Sequence, residues 1–255
     1  MTRRLLGRTG LLVSPVGFGS FKIGRNEQIK YPAAYPLPTD AEAAALLNAV
    51  LEAGVNYIDT APAYGVAEER IGRALGDRLC ECVVSTKAGE VFTGGRSLYD
   101  FSRPAVLRSI EESSRRLRRE PLDLVFMHGH ADDLDILNDT PIVETMLDLK
   151  AQGRIRAIGF SGKTVAAARQ ALSWADALMV EYHLHDRSHE AVISEAALRG
   201  VGIVVKKGLA SGQLPAAESI RFVLGNPHVT SLVIGGLDLA HLQANLAEAR
   251  QIRAA

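Results

Sequence analysis

The chain has 255 residues, with 29 basic and 29 acidic side chains and a formal net charge of zero. That balance, without a long basic stretch, argues against nucleic acid and against an anionic membrane surface as partners. No apolar run approaches the roughly 18 residues that a membrane span needs, and the length suits one large domain with a buried core or two smaller ones.

The N-terminal segment RRLLGRTGLLVS has strand-like flanks around a glycine-containing turn and predicts a hairpin. Gly7, Arg8 and Thr9 interrupt the apolar run that an export signal would require. From residue 16 onward, short Val/Ile/Leu-rich segments alternate with amphipathic ones. Strands are predicted at 16–20, 55–59, 82–87, 122–127, 156–160, 177–182, 202–206 and 231–235. The helices between them carry local signals. Thr39-Asp40-Ala41-Glu42 reads as a capping box, and Ser102 as a cap before Arg103-Pro104. Gly54, Gly76, Gly153 and Gly200 fall where helices should end. The charge run RRLRRE (115–120) is expected to be the solvated end of the third helix. The proline-bearing loop 22–38, with Pro32, Pro36 and Pro38, either frames a pocket or forms a surface arm.

Eight strand–helix pairs with continuous apolar strands imply a parallel sheet covered by helices. At this length they suit a (β/α)₈ TIM barrel forming a single domain over residues 1–255. The competitor, a doubly wound sheet, wants a glycine-rich phosphate loop after its first strand; GFGSFKIGRNE lacks the third glycine and the immediate helix. Cys80 and Cys82 are too few and too close for a disulfide framework, which fits a reducing, cytoplasmic setting.

Four polar residues stand where predicted strands run out: Asp59 and Tyr64 in VNYIDTAPAYG, Lys87 after VVST, and His128 after LDLVFM. Each has a structural alternative. Asp59 could cap a helix, Tyr64 could pack on the rim, Lys87 could be a surface lysine, and His128 could be a hydrogen-bonded rim histidine. Together, on three successive strand ends, they point to an active site at the barrel mouth. Tyr, Lys and Asp also make chemical sense as a set: a phenol that gives or takes a proton, a cation that tunes it, and a carboxylate that holds the cation.

The segments LGRTGLLVSPVGFGS, NYIDTAPAYG with Glu68 and IGRALG, VSTKAG, DLVFMH, GRIRAIGFSG and HLQANLAEA resemble the aldo-keto reductase family. The resemblance covers nearly the whole chain in order. It implies an NAD(P)-dependent enzyme that reduces aldehydes or ketones, or runs the reverse reaction, with Asp59, Tyr64, Lys87 and His128 as its catalytic tetrad. It also implies a dinucleotide lying across the barrel mouth. Ser161 and Gly162 match the family's Ser–Asn grip on the nicotinamide, without the amide side chain. Met179 stands where a glutamine often completes that grip. Lys206 and Lys207 replace a stacking aromatic, and alternation is expected to turn only one of them inward.

After the last strand, Gly235 and Gly236 lead into a helix N-terminus, a natural phosphate site. Asn245 matches the family's adenine contact. His241 stands where an arginine often holds the 2′-phosphate, and nearby Asp238 would repel that phosphate. The pair favours NAD(H) over the family's more usual NADP(H). The chain is short for the family and is expected to lack the C-terminal tail that often covers the substrate. The loop 88–101, with Gly94 and Gly95, is expected to be a mobile wall, joined by 129–140. The oligomeric state is not legible.

Three other functions fit parts of the sequence. Lys206 or Lys207 could form a Schiff base in an aldolase or isomerase. His128, His130, Asp132 and Asp133, or His183, His185 and Asp186, offer metal-ligand types, although neither group makes a complete set with supporting partners; no metal is expected. A non-enzymatic nucleotide sensor would explain the altered nicotinamide contacts.

Overall fold

The computed structural model describes residues 2–29 and 33–252; Pro32 lies outside them. A short hairpin, β1 (Arg4–Leu5) and β2 (Leu12–Val13), opens the chain. Then follow β3 (Val16–Gly19), α1 (Asp40–Glu52), β4 (Tyr57–Asp59), α2 (Ala67–Leu75), β5 (Val83–Ala88), β6 (Glu90–Thr93), β7 (Arg96–Tyr99) and α3 (Arg103–Leu117). The middle of the chain forms β8 (Leu122–His128), α4 (Asp133–Asp139), α5 (Ile142–Ala151), β9 (Ile155–Ser161) and α6 (Val165–Ala171). The last elements are β10 (Ala177–Glu181), α7 (Glu190–Leu198), β11 (Gly202–Lys206), α8 (Ala216–Gly225), β12 (Ser231–Ile234) and α9 (Leu239–Gln251).

Eight parallel strands, β3, β4, β5, β8, β9, β10, β11 and β12, pair in chain order and close through β12 against β3. This is a (β/α)₈ barrel, and each predicted strand forms within two residues of its expected bounds. The strands are buried on both faces because the helices cover one face and the barrel interior takes the other. The outer layer packs residues such as Val50, Ile71, Ile110 and Leu149 against the sheet. The inner layer contains Tyr57, Val83, Leu124, Phe126, Ala177, Met179 and Val204, together with Leu6, Leu11 and Val13 of the hairpin. The hairpin thus plugs the N-terminal end of the barrel. Gly7 makes the fit possible: it adopts φ +52°, and a Cβ there would lie 2.3 Å from the Gly202 nitrogen.

The helix ends follow local chemistry. Thr39 and Glu42 form the expected capping box, while Gly54, Gly76, Gly153 and Gly200 all take positive φ. Three expectations change. Ser102 makes no side-chain cap, and its N–H instead donates to Asp100 Oδ1. The arginine run is not simply solvated. Arg116 pairs with buried Glu68, and Arg119 with Asp123 as well as the Leu79 carbonyl. The segment 88–101 is a built hairpin rather than a loose loop, since β6 and β7 pair antiparallel around Gly94 and Gly95 at φ +57° and +73°. The stretch 129–140 likewise contains α4.

Candidate active site

A cavity of about 1020 Å³ opens at the C-terminal ends of the strands. Asp59, Tyr64, Lys87 and His128 all line it. Asp59 ends β4. A short 3-10 turn, Pro62–Tyr64, then carries Tyr64 over the mouth before α2 begins.

Lys87 and Asp59 form a buried pair. Nζ donates to Oδ2 at 2.7 Å, to Oδ1 at 2.8 Å and to the Thr60 carbonyl at 2.9 Å. Ser85 Oγ donates to Asp59 Oδ1 and in turn accepts from the Tyr57 hydroxyl, extending the network into the barrel. Burial lowers the Lys87 pKa, while the Asp59 carboxylate opposes that effect. The Nζ of Lys87 lies 4.6 Å from the centre of the Tyr64 ring. His128 faces the same phenol edge-on, with ring centres 6.4 Å apart. The site therefore joins a phenol, a fixed cation and an imidazole at one end of the cavity.

Glu90 belongs to this group and was not picked out by the sequence reading. Its Oε2 lies 2.9 Å from His128 Nδ1, an ion-pair distance with an approach too bent for a good hydrogen bond. Burial lowers the His128 pKa most strongly, Glu90 pulls it up, and Lys87 and Lys206 push it down again. Arg25 was also missed. It is buried, donates to the Ala63 and Glu27 carbonyls, and stacks over Phe92 of β6 at 3.5 Å. It ties the loop after β3 to the Tyr64 turn and the β6–β7 hairpin. Of the loop 22–38, the stretch 22–28 frames the pocket, with Lys22, Arg25 and Gln28 in the cavity wall.

On the other side, Ser161 ends β9, and Met179 forms part of the cavity floor. Gly162 has a physical reason to be glycine: a Cβ would meet the Phe160 ring at 2.1 Å and Asp133 Oδ2 at 2.4 Å. An asparagine there would require the Phe160 ring and the Asp133 carboxylate to move aside. Lys206 reaches across instead, donating to Ser161 Oγ at 3.0 Å and the Gly162 carbonyl at 2.9 Å. Contrary to the alternation argument, Lys206 and Lys207 both line the cavity. The strand ends at Lys206, and Lys207 turns to φ +53°, breaking the in–out pattern. Lys207 then pairs with Glu181 at 2.6 Å.

Gly235 lines the cavity, whereas Gly236, Asp238, His241 and Asn245 lie beyond its lining. The α9 N-terminus already holds a carboxylate, because Asp238 Oδ1 accepts from the Ala240 and His241 N–H groups. His241 is exposed beside it.

The metal-ligand types are mostly engaged elsewhere. Asp133 accepts from Thr164 N and Oγ1 and from Lys163 N. Among the described residues, Glu181, His183 and Asp186 bring one ligand atom each within 4.8 Å of one another. Glu181 is held by Lys207, and Asp186 accepts from Ser188 N. Cys80 and Cys82 are free thiols, and burial pushes Cys82 up to about 12. No helix among the described residues is long and apolar enough to cross a membrane.

The model of the aldo/keto reductase family matches residues 15–219. Pyridoxal 4-dehydrogenase of Microbacterium luteolum is 30% identical over 257 residues, covering 84% of this chain and 72% of that protein. NADH-specific methylglyoxal reductase of Escherichia coli is 32% identical over 222 residues, covering 79% and 64%. A crystal structure assigned to an aldo-keto reductase of Pseudomonas aeruginosa superposes with a TM-score of 0.89 at 42% identity, covering 98% of this chain and 95% of that one. The holo form of an aldo-keto reductase from Bacillus halodurans gives 0.82 at 25% identity, covering 100% and 97%. The barrel, its mouth and these matches lead to one conclusion: the chain belongs to the aldo/keto reductase family and is an oxidoreductase of that class.

Proposed function

We propose that the enzyme reduces aldehydes or ketones to alcohols, or oxidises such alcohols, with Tyr64 as the general acid or base. The observation that carries this reading is the buried Lys87–Asp59 pair set 4.6 Å from the Tyr64 ring. A free phenol has a pKa of about 10 and exchanges its proton slowly near neutrality. An adjacent cation favours phenolate and eases that exchange. Asp59 keeps the cation charged where burial would otherwise discharge it. As charge grows on a carbonyl oxygen, Tyr64 delivers a proton to it and His128 orients it. In the reverse direction Tyr64 takes the proton back.

A nicotinamide dinucleotide supplies the hydride when bound. The residues present fit one: the cavity is large, and Ser161 with Lys206 offers polar groups beside the catalytic end. Gly235, Gly236 and Asn245 are assigned to the rest of the dinucleotide by the family's pattern. We assign the preference to NAD(H), because Asp238 places a carboxylate on the α9 N–H groups that a 2′-phosphate would otherwise use. The name of the E. coli relative, an NADH-specific reductase, agrees. Two free cysteines fit a cytoplasmic setting.

The test is a panel of small aldehydes and sugars assayed with NADH and NADPH, following cofactor absorbance. Turnover with at least one carbonyl, faster with NADH, is expected. Cofactor binding without turnover across the panel would favour a nucleotide-binding sensor instead.

A further inference from the structure

Lys206 differs from Lys87 in how its nitrogen is held. The Nζ of Lys87 has two carboxylate oxygens and a carbonyl around it, an environment suited to an ammonium. The Nζ of Lys206 has two neutral acceptors, Ser161 Oγ and the Gly162 carbonyl. No carboxylate among the described residues forms an ion pair with it. Glu181, opposite it in register on β10, gives its carboxylate to Lys207 instead. Two acceptors match the two N–H bonds of a neutral amine and leave its lone pair unused by the protein. The side chain lines the cavity, so a small molecule in the pocket can reach the nitrogen.

The surroundings act in the same direction. Burial holds the Lys206 pKa well below the ordinary lysine range, and the charges of Lys163, Lys207 and Lys87 lower it further. Glu181 pulls upward, and that carboxylate is shared with Lys207. A desolvated lysine among other cations is a general route to an amine nucleophile.

We propose that Lys206 is a second reactive centre of this pocket, a nucleophilic amine that captures aldehydes as an imine. The Nζ lone pair attacks the carbonyl carbon, and the carbonyl π electrons move to oxygen, giving a carbinolamine. Ser161 Oγ, 3.0 Å away, relays a proton to that oxygen. The nitrogen then expels the oxygen, and both protons of the amine leave with it as water. One C=N bond replaces one C=O bond, and nothing is oxidised or reduced. This chemistry is independent of hydride transfer, so either reading can fail without the other.

The experiment uses the whole protein without any dinucleotide, treated at neutral pH with propanal and cyanoborohydride, which reduces an imine to a stable secondary amine. Peptide mapping is expected to find the propyl group on Lys206 well before any other lysine. The rate at Lys206 should stay high as pH falls through the range where other lysines lose reactivity. Lys206→Met, checked for folding by circular dichroism, should lose the early label. Labelling spread evenly over the lysines, or a Lys206 pH profile that follows the others, overturns the proposal. The pH profile comes from the unsubstituted protein and decides the matter even if the variant does not fold.

Discussion

The carboxylate of Glu90 stands 2.9 Å from Nδ1 of His128, joining the β6–β7 hairpin to the end of β8 at the cavity wall. Burial would raise the Glu90 pKa from its ordinary 4.5, but His128, Ser97 and Tyr99 more than offset that and hold it at about 2. The pair couples a wall element to a residue assigned to the chemistry.

Glu90→Gln removes the negative charge that raises the His128 pKa, so the imidazole should titrate at lower pH in the variant. Nitrogen-15 NMR of the histidine rings reads this directly, and an unchanged titration would separate the two residues. The variant should also alter acid stability. A depressed carboxylate stabilises the fold above its unfolded pKa and loses that contribution as pH falls through the folded value. Melting temperatures of the native protein should therefore drop more steeply than those of Glu90→Gln between about pH 4.5 and 2.

Tyr64→Phe keeps the ring and removes the proton. Turnover should fall by roughly 10²–10⁴-fold, the usual worth of a positioned acid or base. Binding of the reduced dinucleotide, followed by fluorescence, should change little. Retention of most reductase activity would remove Tyr64 from its assigned role.

Asp59→Asn leaves the Lys87 charge buried without its carboxylate. Both side chains are almost fully buried, at 4% and 1% exposure, so breaking the pair should cost about 3–5 kcal/mol. Replacing both, as Asp59→Asn with Lys87→Met, should recover much of that loss while leaving the enzyme inactive. Urea unfolding of the two variants tests this. A double variant no more stable than the single one would mean that the cost lies in the network through Ser85 and Tyr57 rather than in the unpaired charge.

Asp238→Ser retains a side-chain oxygen for the α9 N–H groups but removes the charge. The ratio of NADPH to NADH affinity should rise in this variant. Titration of each cofactor measures it, and an unchanged ratio would place the discrimination elsewhere.

The barrel and the four central residues were legible because both are written locally. Strand ends such as VVSTK and LDLVFMH carry their own burial pattern, and the polar residue follows directly. Glu90 was hidden because β6 and β7 are only four residues each around two glycines, so their alternation is too short to distinguish from a loop. Lys206 and Lys207 were placed at the pocket, but not both facing it, since the left-handed turn falls on Lys207 itself rather than on the glycine that follows it. The arginine run misled for a different reason. Arg116 meets Glu68 across 48 residues, a partnership that no local pattern contains.

The hairpin that plugs the barrel gives the cavity a dead end. Leu6, Leu11 and Val13 pack beneath the inner-layer side chains Tyr57, Leu124, Phe126 and Met179, and together they leave no passage through the barrel from one end to the other. Any ligand of this pocket must therefore enter and leave through the mouth at the C-terminal ends of the strands.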